Sequence, residues 1–367
     1  MLKRFLKPLI IVVSTLAVLL IALVVLFMVT NKPTPVDTAS PIGLTEAQYT
    51  DEERSRQLEL YVWYPTDETT PVELFEDNAA FRGFSAIKDA PVADATYPLV
   101  VLSHGSGGNR ANQGWLAVEL ARQGAIVVAM NHPGSTSRDS AAATNILTWN
   151  RPADVSFVLD SLLKDSQFSP HIDSERVAVV GHSLGGYTAL AVGGAELSLE
   201  NFIAYCDEFP NNPDCIFYRE GDVDLTQVER SKFERSNRDE RVKAVVAIDP
   251  AYARSFQAES LDTLTDTLLI APTVEAGEAD LQVSYLAEQL APEHDLIELA
   301  GAQHFTFLPE CKAAGYYLLM VVERGGEVLC KRERGETRAE YHSEVATQVI
   351  DFLQMNGVLN PPQAGRE

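Results

Sequence analysis

Basic side chains are scarce in this chain: Lys and Arg number 29 against 52 Asp and Glu, a formal charge of −23. A surface of that sign repels a phosphate backbone, so nucleic acid is not an expected partner. Histidine is limited to seven scattered positions, and no C-x-x-C or H-E-x-x-H spacing occurs, so neither a metal centre nor a cofactor is expected. Cysteine occurs only at Cys206, Cys215, Cys311 and Cys330. Three connectivities are possible; proximity in sequence favours Cys206 with Cys215 and Cys311 with Cys330, in an oxidising compartment. Internal repeats are lacking too. What remains is 367 residues of ordinary globular composition, 46% hydrophobic and 22% charged, long enough to bury a large core.

The first residues depart from that average. Lys3, Arg4 and Lys7 precede an uncharged apolar run from Pro8 to Thr30. As a helix this run would be roughly 30 Å long, about the thickness of a bilayer's hydrocarbon core. It ends in "LFMVTNK" with no small-residue cleavage site nearby, which favours an uncleaved anchor over a signal peptide. The basic flank then stays in the cytoplasm and the rest of the chain lies in a periplasm or the extracellular space. The expected layout is an anchor over 1–32, a linker over 33–48 that contains "PTPVDTASPIGLT", and one domain over 49–358.

Within that domain "LELYVWYP" (58–65) alternates like an antiparallel strand, whereas "PLVVLSHG" and "AIVVAMNHPG" are continuous apolar runs, the form of strands buried on both faces. "QGWLAVELARQG" between them has helical spacing and stops at Gly124. "PADVSFVLDSLLKD" puts Val155, Val158, Leu159, Leu162 and Leu163 on one helical face behind Pro152. "RVAVVGH", "VKAVVAID", "DTLLIAP" and "HDLIELAG" follow, each a short apolar run before a turn or helix, and a long helix closes the domain over about 336–355. That order predicts an α/β fold, a mainly parallel sheet flanked by helices. The charged stretch 196–241 separates two core strands and reads as an insertion, either a lid or a passive surface excursion.

"VAVVGHSLGGYTAL" (178–191) holds G-x-S-x-G between a predicted strand and a predicted helix. Glycines remove Cβ atoms where the helix start crowds the strand, and the sharp turn lifts the Ser183 hydroxyl clear. A serine hydroxyl needs a base within reach. His304, in "LAGAQHFTF", lies late in the chain after a strand; His294 begins that strand and His342 sits in the last helix. The acid that orients the imidazole is expected at Asp249, at the carboxyl end of "VKAVVAID", with Asp280 and Glu275 as alternatives after the next strand. The oxyanion hole is expected from the N–H groups of Leu184 and of Ser106, the latter in "LSHGSGGNR". His104, His132 and His182 read as packing residues.

"VVLSHGSGGNR", "ELARQGAIVVAMNHPG", "VAVVGHSLGG", "VVAIDPAY" and "GAQHFTFL", in that order over roughly 98–310, resemble the α/β-hydrolases. Within them the chain is similar to the platelet-activating-factor acetylhydrolase-like and dienelactone-hydrolase-like group. The acetylhydrolase pattern implies Asp249 as the acid, and that of many polyester and dienelactone hydrolases implies Asp280. Dienelactone hydrolase proper has a cysteine nucleophile where this chain has Ser183. The resemblance implies an α/β-hydrolase fold and a serine hydrolase that cleaves carboxylic esters, of a short acyl chain or of a phospholipid held at the bilayer. A peptidase or amidase with the same residues, and a catalytically silent scaffold on this fold, are the alternatives.

Overall fold

The computed structural model describes residues 13–18, 21–22, 25, 27, 31–39, 41–273, 281–290, 294–322, 326–331, 333 and 336–361. A ten-stranded sheet organises them, built from twelve strands in chain order less one small hairpin: β1 (Gly43–Asp51), β2 (Arg56–Tyr64), β3 (Glu73–Phe75), β4 (Phe84–Lys88), β5 (Tyr97–Ser103), β6 (Ile126–Met130), the hairpin β7 (Ser135–Thr136) and β8 (Asp139–Ser140), β9 (Ile172–His182), β10 (Val242–Ile248), β11 (Asp266–Thr273) and β12 (Asp295–Ala300). The order across the sheet is β12-β11-β10-β9-β5-β6-β2-β1-β4-β3. From β12 to β6 every pairing is parallel, and β2 joins β6 antiparallel. This is the mainly parallel sheet that the apolar runs imply.

Both faces are covered, which is why the central strands read as unbroken apolar runs. Leu99 and Val101 of β5 point into one core with Val155, Val158 and Leu162 of helix Asn150–Leu162; Val100 and Leu102 point into the other. That second core is closed by helices Gly114–Arg122 and Arg338–Met355.

The domain begins earlier than the sequence suggests. Gly43–Asp51 is strand β1, paired along its whole length with β2, so the stretch 43–48 belongs to the sheet and not to the linker. Its outward residues are polar and alternate with half-buried ones, a pattern that looks like tether in sequence and is an outer strand in space. The residues before it are also tied down: Thr34 Oγ1 donates to Asp77 at 2.5 Å, and Asp37 pairs with Arg122. Of the expected anchor, residues 13–18, 21–22, 25 and 27 are helical, and Val13, Leu16, Val18 and Ile21 are exposed. Among the described residues no helix is long and apolar enough to cross a membrane; the rest of the run lies outside them.

Candidate active site

Ser183 stands between β9 and helix Leu184–Gly193, at φ 58° and ψ −121°. Such a backbone is costly for a residue with a side chain and persists only where its surroundings impose it. The glycines make it possible: a Cβ on Gly181 would collide with the carbonyl of Gly185, and one on Gly185 with that of Ser103. The corner is pinned from the next strand as well. Ser183 N–H donates to Ile248 O at 2.9 Å, and Ala251 N–H donates back to Ser183 O at 3.0 Å.

That second bond comes from the loop that carries Asp249. Ile248 pairs with His182 on one side and Ile270 on the other, so the carboxyl ends of β9, β10 and β11 lie abreast. Asp249 then turns, at φ 43°, with its N–H on Ile270 O at 2.8 Å. Its Oδ2 lies 2.6 Å from Nδ1 of His304. His304 opens a 3-10 turn, His304–Phe307, beyond β12. Three donors hold this turn: His182 Nε2 on His304 O at 2.8 Å, His342 Nε2 on Thr306 O at 2.9 Å and Trp115 Nε1 on Phe307 O at 3.1 Å. Desolvation pulls the His304 pKa down, but the charge and hydrogen bond of Asp249, with a contribution from Asp214, outweigh it and the pKa is raised.

Ser183, Asp249 and His304 line one cavity of about 450 Å³, together with Ser106 and Leu184. No hydrogen bond joins the Ser183 hydroxyl to His304 among the described residues. Such bonds are often long before substrate binds. Leu184 is the first residue of its helix, so its N–H has no intrahelical acceptor. Ser106 donates its hydroxyl to Asn145 Oδ1 at 2.7 Å, and no acceptor in the described residues takes its N–H. Asp280 and Glu275 lie outside the described residues. His104, His132 and His182 are buried, in keeping with packing roles.

Sequence reasoning missed Asn145, Asp214 and Gln282, which also line the cavity. Asp214 belongs to the insertion. Helices Leu199–Glu208 and Pro213–Glu220 are joined by the Cys206–Cys215 disulfide, and the second presents Pro213, Asp214, Phe217 and Tyr218 as a wall of the cavity. The insertion is therefore no passive excursion. The second disulfide joins Cys311 and Cys330.

A strained serine at a strand-to-helix corner, beside a carboxylate-bound histidine on a parallel sheet's carboxyl edge, defines the α/β-hydrolase class. The model of the alpha/beta hydrolase family matches residues 100–313, and the chain belongs to that family. It is similar to cutinase 2 of Thermobifida cellulosilytica, 32% identical over 26% of this chain and 34% of that protein. It is also similar to the platelet-activating factor acetylhydrolase of Canis lupus familiaris, 29% identical over 26% of this chain and 31% of that protein. The chain thus spans about a third of the length of the curated relatives it matches. A ferulic acid esterase structure from Streptomyces cinnamoneus shares the fold, with a TM-score of 0.59 and 19% identity over 91% of this chain and 97% of that one.

Proposed function

We propose that this protein is a serine hydrolase of carboxylic esters. The observation that carries the reading is the convergence of Ser183, Asp249 and His304 on one cavity, with the imidazole held by the carboxylate at 2.6 Å. With Nδ1 so engaged, Nε2 is the nitrogen left to take a proton. In the reaction Ser183 Oγ attacks the acyl carbon while His304 removes its proton; the tetrahedral oxyanion is held by the N–H groups of Leu184 and Ser106. His304 then passes the proton to the leaving alcohol, and water releases the acyl group by the same route. The cutinase and acetylhydrolase likenesses support an ester as substrate. A cavity of about 450 Å³ suits a short-chain acyl ester or the short acyl group of a phospholipid.

In the same reading the run Pro8–Thr30 is a membrane anchor and the domain lies on the periplasmic or extracellular side. The two disulfides support an oxidising compartment.

A fluorophosphonate probe tests the reading. Labelling of the wild type that disappears in Ser183→Ala is expected; an unlabelled wild type would sink it. Hydrolysis of p-nitrophenyl esters of rising chain length, set against the matching anilides, separates esterase from amidase.

A further inference from the structure

Asp214 sits in the first turn of helix Pro213–Glu220, and everything around it holds that turn in place. The adjacent Cys215 is clasped to Cys206 on the preceding helix. Asn212 Oδ1 caps the helix by accepting the Asp214 N–H at 3.0 Å. Farther along, the Tyr218 and Tyr252 hydroxyls are hydrogen-bonded, and the Phe202 ring meets that of Tyr252 edge-on at 4.9 Å. Tyr252 lies three residues beyond Asp249, so the Tyr218–Tyr252 hydroxyl pair joins the helix of Asp214 to the loop of the candidate acid. The inserted segment is thus bonded to the loop that carries the candidate acid, and Asp214 lines the cavity beside His304.

We propose that Asp214 is a positioning residue for the reaction: while Asp249 alone is hydrogen-bonded to the imidazole, Asp214 from the clasped insertion sets a second carboxylate on the same cavity and adds to the stabilisation of the His304 charge at longer range. This rests on His304 being the base. Burial raises the Asp214 pKa, the nearby His304 lowers it, and Asp249 raises it, the pattern of two carboxylates that face one imidazole. Among the described residues, the titratable groups packed around the pair, other than Asp249, are His182, Tyr218 and Tyr252, and they are uncharged. His182, whose ring is 4.7 Å from that of His304, is driven far below its usual pKa by burial and by His304 itself; the Tyr218 and Tyr252 phenols are pushed up by burial.

The test is the pH dependence of kcat/KM on a short p-nitrophenyl ester. Asp214→Asn keeps the shape and removes the charge that favours the imidazolium, so the acid limb moves to lower pH, by about half a unit or more. Asp214→Glu moves it back toward the wild-type position. A merely structural side chain would lower the plateau without moving the limb. Should the asparagine variant not fold, Asp214→Ser is read in the same way. An acid limb unmoved by these variants, in an enzyme that His304→Asn inactivates, overturns the proposal alone. A wild-type profile with no acid limb, or full turnover in His304→Asn, overturns the assignment of the base instead.

Discussion

His132 Nδ1 lies 3.0 Å from Oδ2 of Asp154, with both side chains completely buried, while its Nε2 lies 3.0 Å from the hydroxyl of Ser103. These are the residue types of the candidate active site, in a different role. Burial, then the charge of Arg151, push the His132 pKa down to about 3. The ring is therefore neutral, Nδ1–H donates to Asp154, and Nε2 accepts from Ser103. Burial alone would raise Asp154, but His132 and Arg56 hydrogen bonds bring it down to about 2. Ser103 accepts in turn from Arg151 Nη2 at 3.2 Å, and the same guanidinium donates to His104 O, to Ser135 Oγ at 2.6 Å and to Thr188 Oγ1 at 3.0 Å. One buried cation thereby ties the loop that carries Ser106 to the helix behind Ser183.

Arg151→Met removes the guanidinium's hydrogen bonds to those acceptors in a fully buried site. The loss of stability should be about 2–3 kcal/mol, the scale of losing hydrogen bonds to a buried charged donor. Urea unfolding measures it, and a loss below about 1 kcal/mol would show that the network is not a structural tie.

Asn145→Ala is aimed at the loop of Ser106, the proposed oxyanion donor. Asn145 receives the Ser106 hydroxyl and anchors its own amide on Gly134 O and Ala141 O. Without it the Ser106 N–H loses its fixed direction. Since complete loss of such a donor costs about 100-fold or more in kcat, loss of its support should cost about 10-fold, with KM little changed. A change confined to KM would place Asn145 in substrate binding instead.

Asp249→Asn should lower kcat by about 10,000-fold, because the amide favours the wrong imidazole tautomer. Turnover that survives this change and disappears in Asp280→Asn would transfer the acid's role to Asp280.

The central strands could be picked out in the sequence because burial on both faces leaves an unbroken apolar run, as in β5, β6 and β9. The corner at Ser183 was legible for a local reason: its glycines answer close backbone approaches. The strands β1, β3 and β4 toward one edge were not. Of β1 the sequence shows mostly polar side chains, and β3 is three residues long. Polar residues whose partners come from distant segments escaped as well, Asp214 among them. Arg151 and Asp154 did leave a signal: they are buried alongside Val155, Val158 and Leu162 in a helix whose face was otherwise read as apolar. Charges placed at core positions of a helix announce a buried network before any coordinates exist.

Acid sensitivity follows from the histidines that this packing buries. His104, His132, His182 and His342 are all held below their ordinary pKa by desolvation, the last at about 3. Between the unfolded value of about 6.5 and the depressed folded values, the unfolded chain binds more protons, so stability falls as pH falls. At pH 5 each of His132 and His342, both held at about 3, costs about 2 kcal/mol relative to neutral pH, and His104 and His182 add with the same sign. His304 has the opposite sign: its raised pKa contributes stability that is complete below about 6.5 and is lost as pH rises through the folded value. The four outweigh the one. Melting temperatures recorded from pH 8 to pH 5 should therefore decline on the acid side of about 6.5, well above the range where carboxylates such as Asp154 take up protons. A melting temperature that stays level down to pH 5 would mean that these imidazoles reach water or an anion in the folded state.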